Sequence, residues 1–378
     1  MDVTLTAAII VKDEERCIAR CINSVLTIFN EIIIIDTGST DNTLSILKSY
    51  QSKKIKIFES LWNDDFSSAR NFAISKCTGQ YILFIDADEY LSSTKNGVLT
   101  EDKKAEFDDE FVYCPEIKGH DGNSSKTVRR FFANNGNFYF HGYVHEELRR
   151  KDGNEIKDIP INIVINHDGY KDEIIKEKDK INRNRALNIK NLKNEPNYLR
   201  WVFFYFRDSF EILNPNDIYQ SLLCSIKLHQ DSDVNINNLK SDSYTFPILD
   251  LMARAKLKSM DSEVDFYLTI NLMRGIIPGN SNATYYELIY DIFKWKITAK
   301  NNIGKIINLK SKGNQNHSEM IHSEGLHIDA ALSFYLYETG LISQARKLLL
   351  SVESNGFSSE MTKLYLKNTD LINGERNK

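Results

Sequence analysis

Tyr81-Ile82-Leu83-Phe84-Ile85-Asp86-Ala87-Asp88 decides the fold. Five consecutive apolar residues of this kind read as a strand covered on both faces, and such strands belong to parallel sheets sandwiched by helices. The strand runs straight into two aspartates one residue apart. Both carboxylates are therefore delivered to the carboxyl edge of the sheet, where open α/β folds bind ligands. A hard divalent cation that bridges phosphates takes oxygen ligands held on such a rigid element. The competing reading is an acidic turn that only caps the next segment; three preceding strand–helix steps weigh against it.

Those steps are legible upstream. Leu5 to Val11 is strand-like, and Asp13 is placed to cap a helix with Ile18, Ile22, Val25 and Leu26 at helical spacing. Glu31 to Asp36 contains four consecutive isoleucines and reads as a doubly buried strand, followed by a helix capped by Asp41 or Asn42. Ile55 to Phe58 is a third strand and Ser67 to Cys77 a third helix. From Phe111 to Gly169 the pattern turns to period two over FVYCPEIKG (111–119), KTVRRFF (126–132), NFYFHGYVHEEL (137–148) and INIVINHDG (161–169), each read as a strand, which predicts antiparallel or edge members of the sheet. Beyond Lys171 the chain reads as helix. Within it, residues 324–350 form two amphipathic helices joined at Thr339-Gly340, with Ala330 and Ala345 where close packing needs small side chains, and a second hairpin is expected over Arg200 to Leu228.

A chain of 378 residues exceeds the roughly 250 at which one core divides, so two domains are expected, at 1–195 and 196–378. A net charge of -4 lacks the broad positive field of nucleic-acid binders. No stretch approaches the roughly 18 apolar residues of a spanning helix, and the first residues lack a signal-peptide pattern, so a cytoplasmic protein is expected. Five scattered cysteines form neither a zinc pattern nor a disulfide framework, and Cys17 and Cys21, four apart, are expected to be packing residues.

The remaining candidates follow from position. Asp36 ends the second strand before Thr37-Gly38-Ser39; a carboxylate there accepts from a base N–H or a ribose hydroxyl, and the glycine allows a sharp turn, though a plain turn with a cap would look the same. Arg70 starts the third helix, facing either a nucleotide or a surface partner. His141, His145 and His167 fall in a short region beside carboxylates or glycines. His167 is a candidate metal ligand and Glu146 a candidate general base, with His145 as the alternative; a single histidine would more often be a satisfied core residue.

The segments IIVKDEE (9–15), EIIIIDTGSTDNT (31–43), SSARNFAI (67–74), YILFIDADE (81–89), VRRFF (128–132), HGYVHEE (141–147) and NHDGY (166–170) together resemble glycosyltransferase family 2. The resemblance implies a GT-A fold, a Rossmann-like mixed sheet, followed by an all-α tetratricopeptide-like domain. Residues 129–147, 166–173 and 201–210 are most similar to the subgroup that glycosylates glycocin bacteriocins on sulfur. By motif position it implies that Val11 and Asp36 lie beside the uracil of a UDP-sugar, Arg70 near the nucleotide, and Asp86 and Ala87 at the ribose or metal. Asp88 and His167 would hold Mg2+ or Mn2+. It further implies inverting transfer of a hexose, expected to be glucose, to a cysteine or serine of a precursor peptide. The helical domain would recognise that peptide or form a homodimer. Lys12 departs from the family, many of whose members carry there an aromatic that stacks on the base. A related enzyme acting on a cell-surface saccharide such as lipopolysaccharide core, and a non-enzymatic helical scaffold, are the alternatives; intact Asp36, Asp86, Asp88 and Glu146 argue against the scaffold.

Overall fold

The computed structural model describes residues 3–92, 107–119, 122–167, 174–231, 233–312 and 320–375. It divides into two compact units, 1–212 and 213–378.

The first unit is built on a mixed sheet. Strands β1 (Leu5–Val11), β2 (Glu31–Asp36), β3 (Ile55–Glu59) and β4 (Tyr81–Asp86) are parallel in the order β3-β2-β1-β4. Helices α1 (Ile18–Val25), α2 (Thr43–Ser49) and α3 (Phe66–Lys76) connect them. Beyond β4 the sheet continues through β8 (Phe131–Ala133), antiparallel to both neighbours, then β6 (Phe111–Gly119), its parallel partner β11 (Lys157–His167) and β5 (Glu89–Leu91). A two-residue strand β7 (Ser124–Ser125) pairs with β6. This is the expected GT-A-like mixed sheet. Asp168, Gly169 and Tyr170 lie outside the described residues.

Period-two alternation sorts the core into two layers. Ile9, Ile32, Ile34, Leu83 and Ile85 pack with Ile18, Ile22 and Val25 of α1. Ala8, Ile33, Ile35, Ile82 and Phe84 point the other way and pack with Ala73 of α3 and with Phe138 and Phe140. Each central strand is thus covered on both sides, as its unbroken apolar run requires. Cys17 and Cys21 are buried, as expected.

Two local expectations are corrected. Asp13 does not cap α1, which starts at Ile18 without a side-chain cap. Asp13 adopts φ +54° and its Oδ1 accepts from the N–H groups of Thr40 and Asp41, tying the loop after β1 to the loop after β2. The NFYFHGYVHEEL segment is not one strand either. It is a hairpin, β9 (Phe138–His141) paired with β10 (Glu147–Arg150). Gly142 turns its corner at φ +107°, where a Cβ would stand 2.4 Å from Trp201.

Helices α4 (Ile174–Asn194) and α5 (Leu199–Asp208) belong to the first unit, which therefore runs past residue 195. Glu195 shows why. Its carboxylate accepts from His141 and Arg149 of the hairpin and from the Trp201 indole.

The second unit is helical: α6 (Pro215–Ile226), α7 (Thr245–Ser259), α8 (Glu263–Ile276), α9 (Ser281–Ser311), α10 (Leu326–Glu338), α11 (Ile342–Ser354) and α12 (Glu360–Glu375). Helices α10 and α11 form the expected hairpin, with Ala330 and Ala345 buried. The second hairpin, over Arg200 to Leu228, does not form one unit. Helix α5 falls in the first unit, while α6 packs on α7.

Candidate active site

Register alone brings the first residues together. Val11 lies beside Asp36, and Ile10 beside Asp86, so the ends of β1, β2 and β4 share one edge. Strands β2 and β3 extend to one side of β1 and β4 to the other. Their carboxyl ends flank a switch in strand order, the usual ligand crevice of such sheets.

Asp36 is fully buried. Its Oδ1 accepts from the N–H groups of Gly38, at 2.9 Å, and Ser39, at 2.8 Å, which Gly38 permits by adopting φ +102°. Its Oδ2 is buried and has no partner among the described residues. An unpartnered carboxylate oxygen out of water is costly, and a ligand N–H or O–H answers that cost.

At the end of β4, each oxygen of Asp86 meets an arginine. Arg70 Nη2 donates to Oδ1 at 3.1 Å and Arg130 Nη2 to Oδ2 at 2.8 Å. Arg130 also reaches Glu89 at 3.1 Å, and Glu89 in turn accepts from the Asp86 N–H. Burial would raise the Asp86 carboxyl, but Arg130 and Arg70 overcome it and hold the group well below its ordinary range. Burial pushes the Glu89 carboxyl up to about 7, against the pull of Arg130 and aided by the charge of Asp86.

Arg70 extends the chain of charges to Glu146, whose Oε1 accepts from Nε at 2.5 Å. Glu146 arrives there because the 142–146 turn is pinned from several sides. Asn71 pairs with the backbone of Phe140 in both directions, Asn191 of α4 holds the backbone of Tyr143 and Val144, and Arg200 of α5 donates to the His145 carbonyl. His145, at φ +53°, turns away to α5, where its ring stacks on Phe204 at 4.1 Å and Nε2 meets Asp208 at 2.8 Å.

Asp88 and His167 form a separate pair, Oδ2 to Nε2 at 3.2 Å, with side chains 25% and 40% exposed. The bond to Asp88 outweighs burial and raises the His167 pKa. Among the described residues no three His, Cys, Asp or Glu side chains gather as a complete metal cage. A carboxylate and a neutral imidazole facing each other would fit a cation whose other ligands are substrate oxygens, once the hydrogen bond between them is given up.

Residues 6–173 match the family model described as Glycosyl transferase family 2. The first unit carries a family 2 glycosyltransferase domain. The chain is 36% identical over 211 residues to the SPbeta prophage-derived glycosyltransferase SunS of Bacillus subtilis, covering 54% of this chain and 49% of that protein. It is 42% identical over 87 residues to a TPR repeat-containing protein of Synechococcus elongatus, covering 23% of this chain and 21% of that one. The chain thus spans about half the length of SunS and less of the second relative. Among solved structures it is similar to S. aureus TarS 1-349 in complex with UDP-GlcNAc, with a TM-score of 0.37 and 15% identity, covering 78% of this chain and 92% of that one. Among the described residues of this chain no helix is long and apolar enough to cross a membrane.

In the glycosyltransferase domain, then, Val11, Asp36, Asp86 and Ala87 lie at or just beyond the ends of neighbouring strands. Arg70 is brought to Asp86 and Glu146 to Arg70, and Asp88 and His167 to each other. Two members of the buried network, Arg130 and Glu89, were not singled out from the sequence. The alternation of VRRFF carried a signal: Arg129 faces Asp158, so its neighbour Arg130 points to the opposite face.

Proposed function

We propose that the domain transfers a hexose from a UDP-sugar to a cysteine thiol of a small peptide, with inversion. The observation that supports a nucleotide donor most directly is the buried, unpartnered Oδ2 of Asp36 at the strand-order switch. A uracil N–H or a ribose hydroxyl satisfies it, with Val11 and Ala87 beside the base and ribose. Asp88 and His167 would hold a divalent cation, which when bound neutralises charge on the diphosphate. Arg70 offers a further cationic donor through Nη1, which is buried and has no partner among the described residues.

Glu146 is the proposed base, and His145, committed to Asp208 and Phe204, is assigned a supporting role. As the carboxylate accepts the thiol proton, the sulfur attacks the anomeric carbon, the bond from that carbon to the UDP oxygen breaks, and its electron pair leaves on UDP. A thiol suits this arrangement because its reference pKa of about 8.5 already supplies some thiolate. The sulfur acceptor and glucose as the sugar rest on the similarity of residues 129–147, 166–173 and 201–210 to the glycocin-modifying subgroup. The helical unit is proposed to hold the acceptor peptide, since stacked helical hairpins present surfaces suited to extended chains. Size-exclusion chromatography of the intact chain tests the other use expected of that unit, a homodimer.

The test is a panel of UDP-hexoses with two peptides that differ only as Cys or Ser, scored by mass spectrometry and alkali resistance. Preferential, alkali-stable modification of the Cys peptide is expected. Equal rates on both peptides overturn the sulfur preference, and transfer to an oligosaccharide but to neither peptide replaces the peptide acceptor with a saccharide.

A further inference from the structure

We infer that Arg70 is a positioning residue that couples the donor side of the site to the base. This rests on the proposed glycosyl transfer and goes beyond a nucleotide contact. The guanidinium is held on one side by a pair of rings, whose centroids are 5.0 Å apart, and along two edges by carboxylates. Its carbon lies 5.2 Å from the ring centroids of both Phe84, on β4, and Phe140, on β9. Those rings close one side of the cation off from water. One edge, Nε, is bonded to Glu146, and Nη2 to Asp86. The side chain is only 12% exposed, and that of Glu146 10%. A buried guanidinium wants all its donors satisfied, and Nη1 is the nitrogen with no acceptor among the described residues.

The geometry assigns each nitrogen a purpose. Asp86 stands at the donor end, anchored from its other side by Arg130. Glu146 stands on the hairpin, on a different part of the chain 76 residues from Arg70. Arg70 is a rigid bar between them. An oxygen of the UDP-sugar that accepts from Nη1 fixes the third corner of the bar, and the carboxylate at the opposite edge is thereby aimed while the sugar is in place. Lysine cannot substitute, because a point charge on a flexible stem offers neither the fork nor the flat surface.

The test combines Arg70→Lys, Glu146→Gln and the double variant, with UDP affinity by calorimetry and steady-state kinetics in the UDP-sugar. Arg70→Lys is expected to lower kcat roughly 10²-fold, the scale of an angstrom of misplacement, and to raise donor KM by a smaller factor, because the Nη1 contact is lost with the fork. The double variant is expected to be no slower than Glu146→Gln, because residues acting as a unit are non-additive. Multiplicative losses, or a raised KM with kcat intact, overturn the inference and make Arg70 a donor-binding cation. A second measurement needs no activity: the Nε–H NMR signal of Arg70 in the wild type is expected to be slow to exchange and displaced, and to collapse toward solvent values in Glu146→Gln. An unchanged signal overturns the coupling. A wild type that binds no UDP sinks the donor reading instead, and the NMR comparison still decides whether Arg70 holds Glu146.

Discussion

Lys256 in the helical unit and Arg70 in the sheet-bearing unit are both cations withdrawn from water, and their surroundings differ in completeness. Lys256 is 2% exposed; its Nζ reaches Asn216, Asp261 and Asp265 at 3.2, 3.3 and 3.1 Å and sits 4.2 Å over the ring of Tyr219. Its surroundings are filled by elements that it staples together. Arg70 also bonds two carboxylates and touches two rings, yet Nη1 is left over, as Oδ2 is left over on Asp36. A structural charge is best fully answered, because an unanswered one costs stability. At the carboxyl edge of the sheet, the incompleteness of Arg70 and Asp36 among the described residues supports the proposed ligand site.

The comparison can be broken at several points. The largest effect is expected from Asp88→Ala, which should abolish transfer while leaving the melting curve almost unchanged, since a partly exposed strand-end carboxylate leaves no core cavity; a chelator should mimic it. Full activity of that variant in divalent-free buffer would remove the metal from the reading. Next comes Glu146→Gln, expected to lower kcat by roughly 10²–10⁴-fold with UDP affinity retained. If calorimetry shows UDP affinity collapsing instead, Glu146 positions the donor and is not the base.

The helical unit should answer in stability. Lys256→Ala strips three polar partners and a ring contact, and is expected to cost about 2–4 kcal/mol in urea unfolding of that unit. A loss under about 0.5 kcal/mol would show that the staple is ornamental. Smallest is Gly142→Ala, expected to cost about 2 kcal/mol in the first unit, because alanine disfavours φ +107° and its Cβ would press on the Trp201 ring. Turnover of the folded fraction should fall with it, as Glu146 lies four residues on. A variant with wild-type stability and turnover would mean the turn relaxes without moving the base.

Much of the sheet was legible because its signal is local. Unbroken apolar runs at 31–36 and 81–86 can be satisfied only by cover on both faces, and alternation then decides which residue meets which layer. The cap assigned to Asp13 failed for a tertiary reason, since the loop after β2 supplied N–H groups that outcompeted its own helix. The single strand expected across the HGYVHEE segment failed because period two continues on both sides of a glycine turn and does not show the reversal at Gly142.

The sequence by itself determined the strand ends, and with them the positions of Val11, Asp36, Asp86 and Asp88 at one edge, because a carboxylate that terminates a buried strand has nowhere else to go. Only the tertiary structure decided what those groups bond to. The pairing of Arg70 with Glu146, of Arg130 with Asp86, of His167 with Asp88 and of His145 with Asp208 joins residues between 44 and 79 positions apart on the chain. No local periodicity encodes such a pairing. It follows from the packing of a hairpin on α3 and of α5 on that hairpin's turn, where buried charges had to find partners across elements.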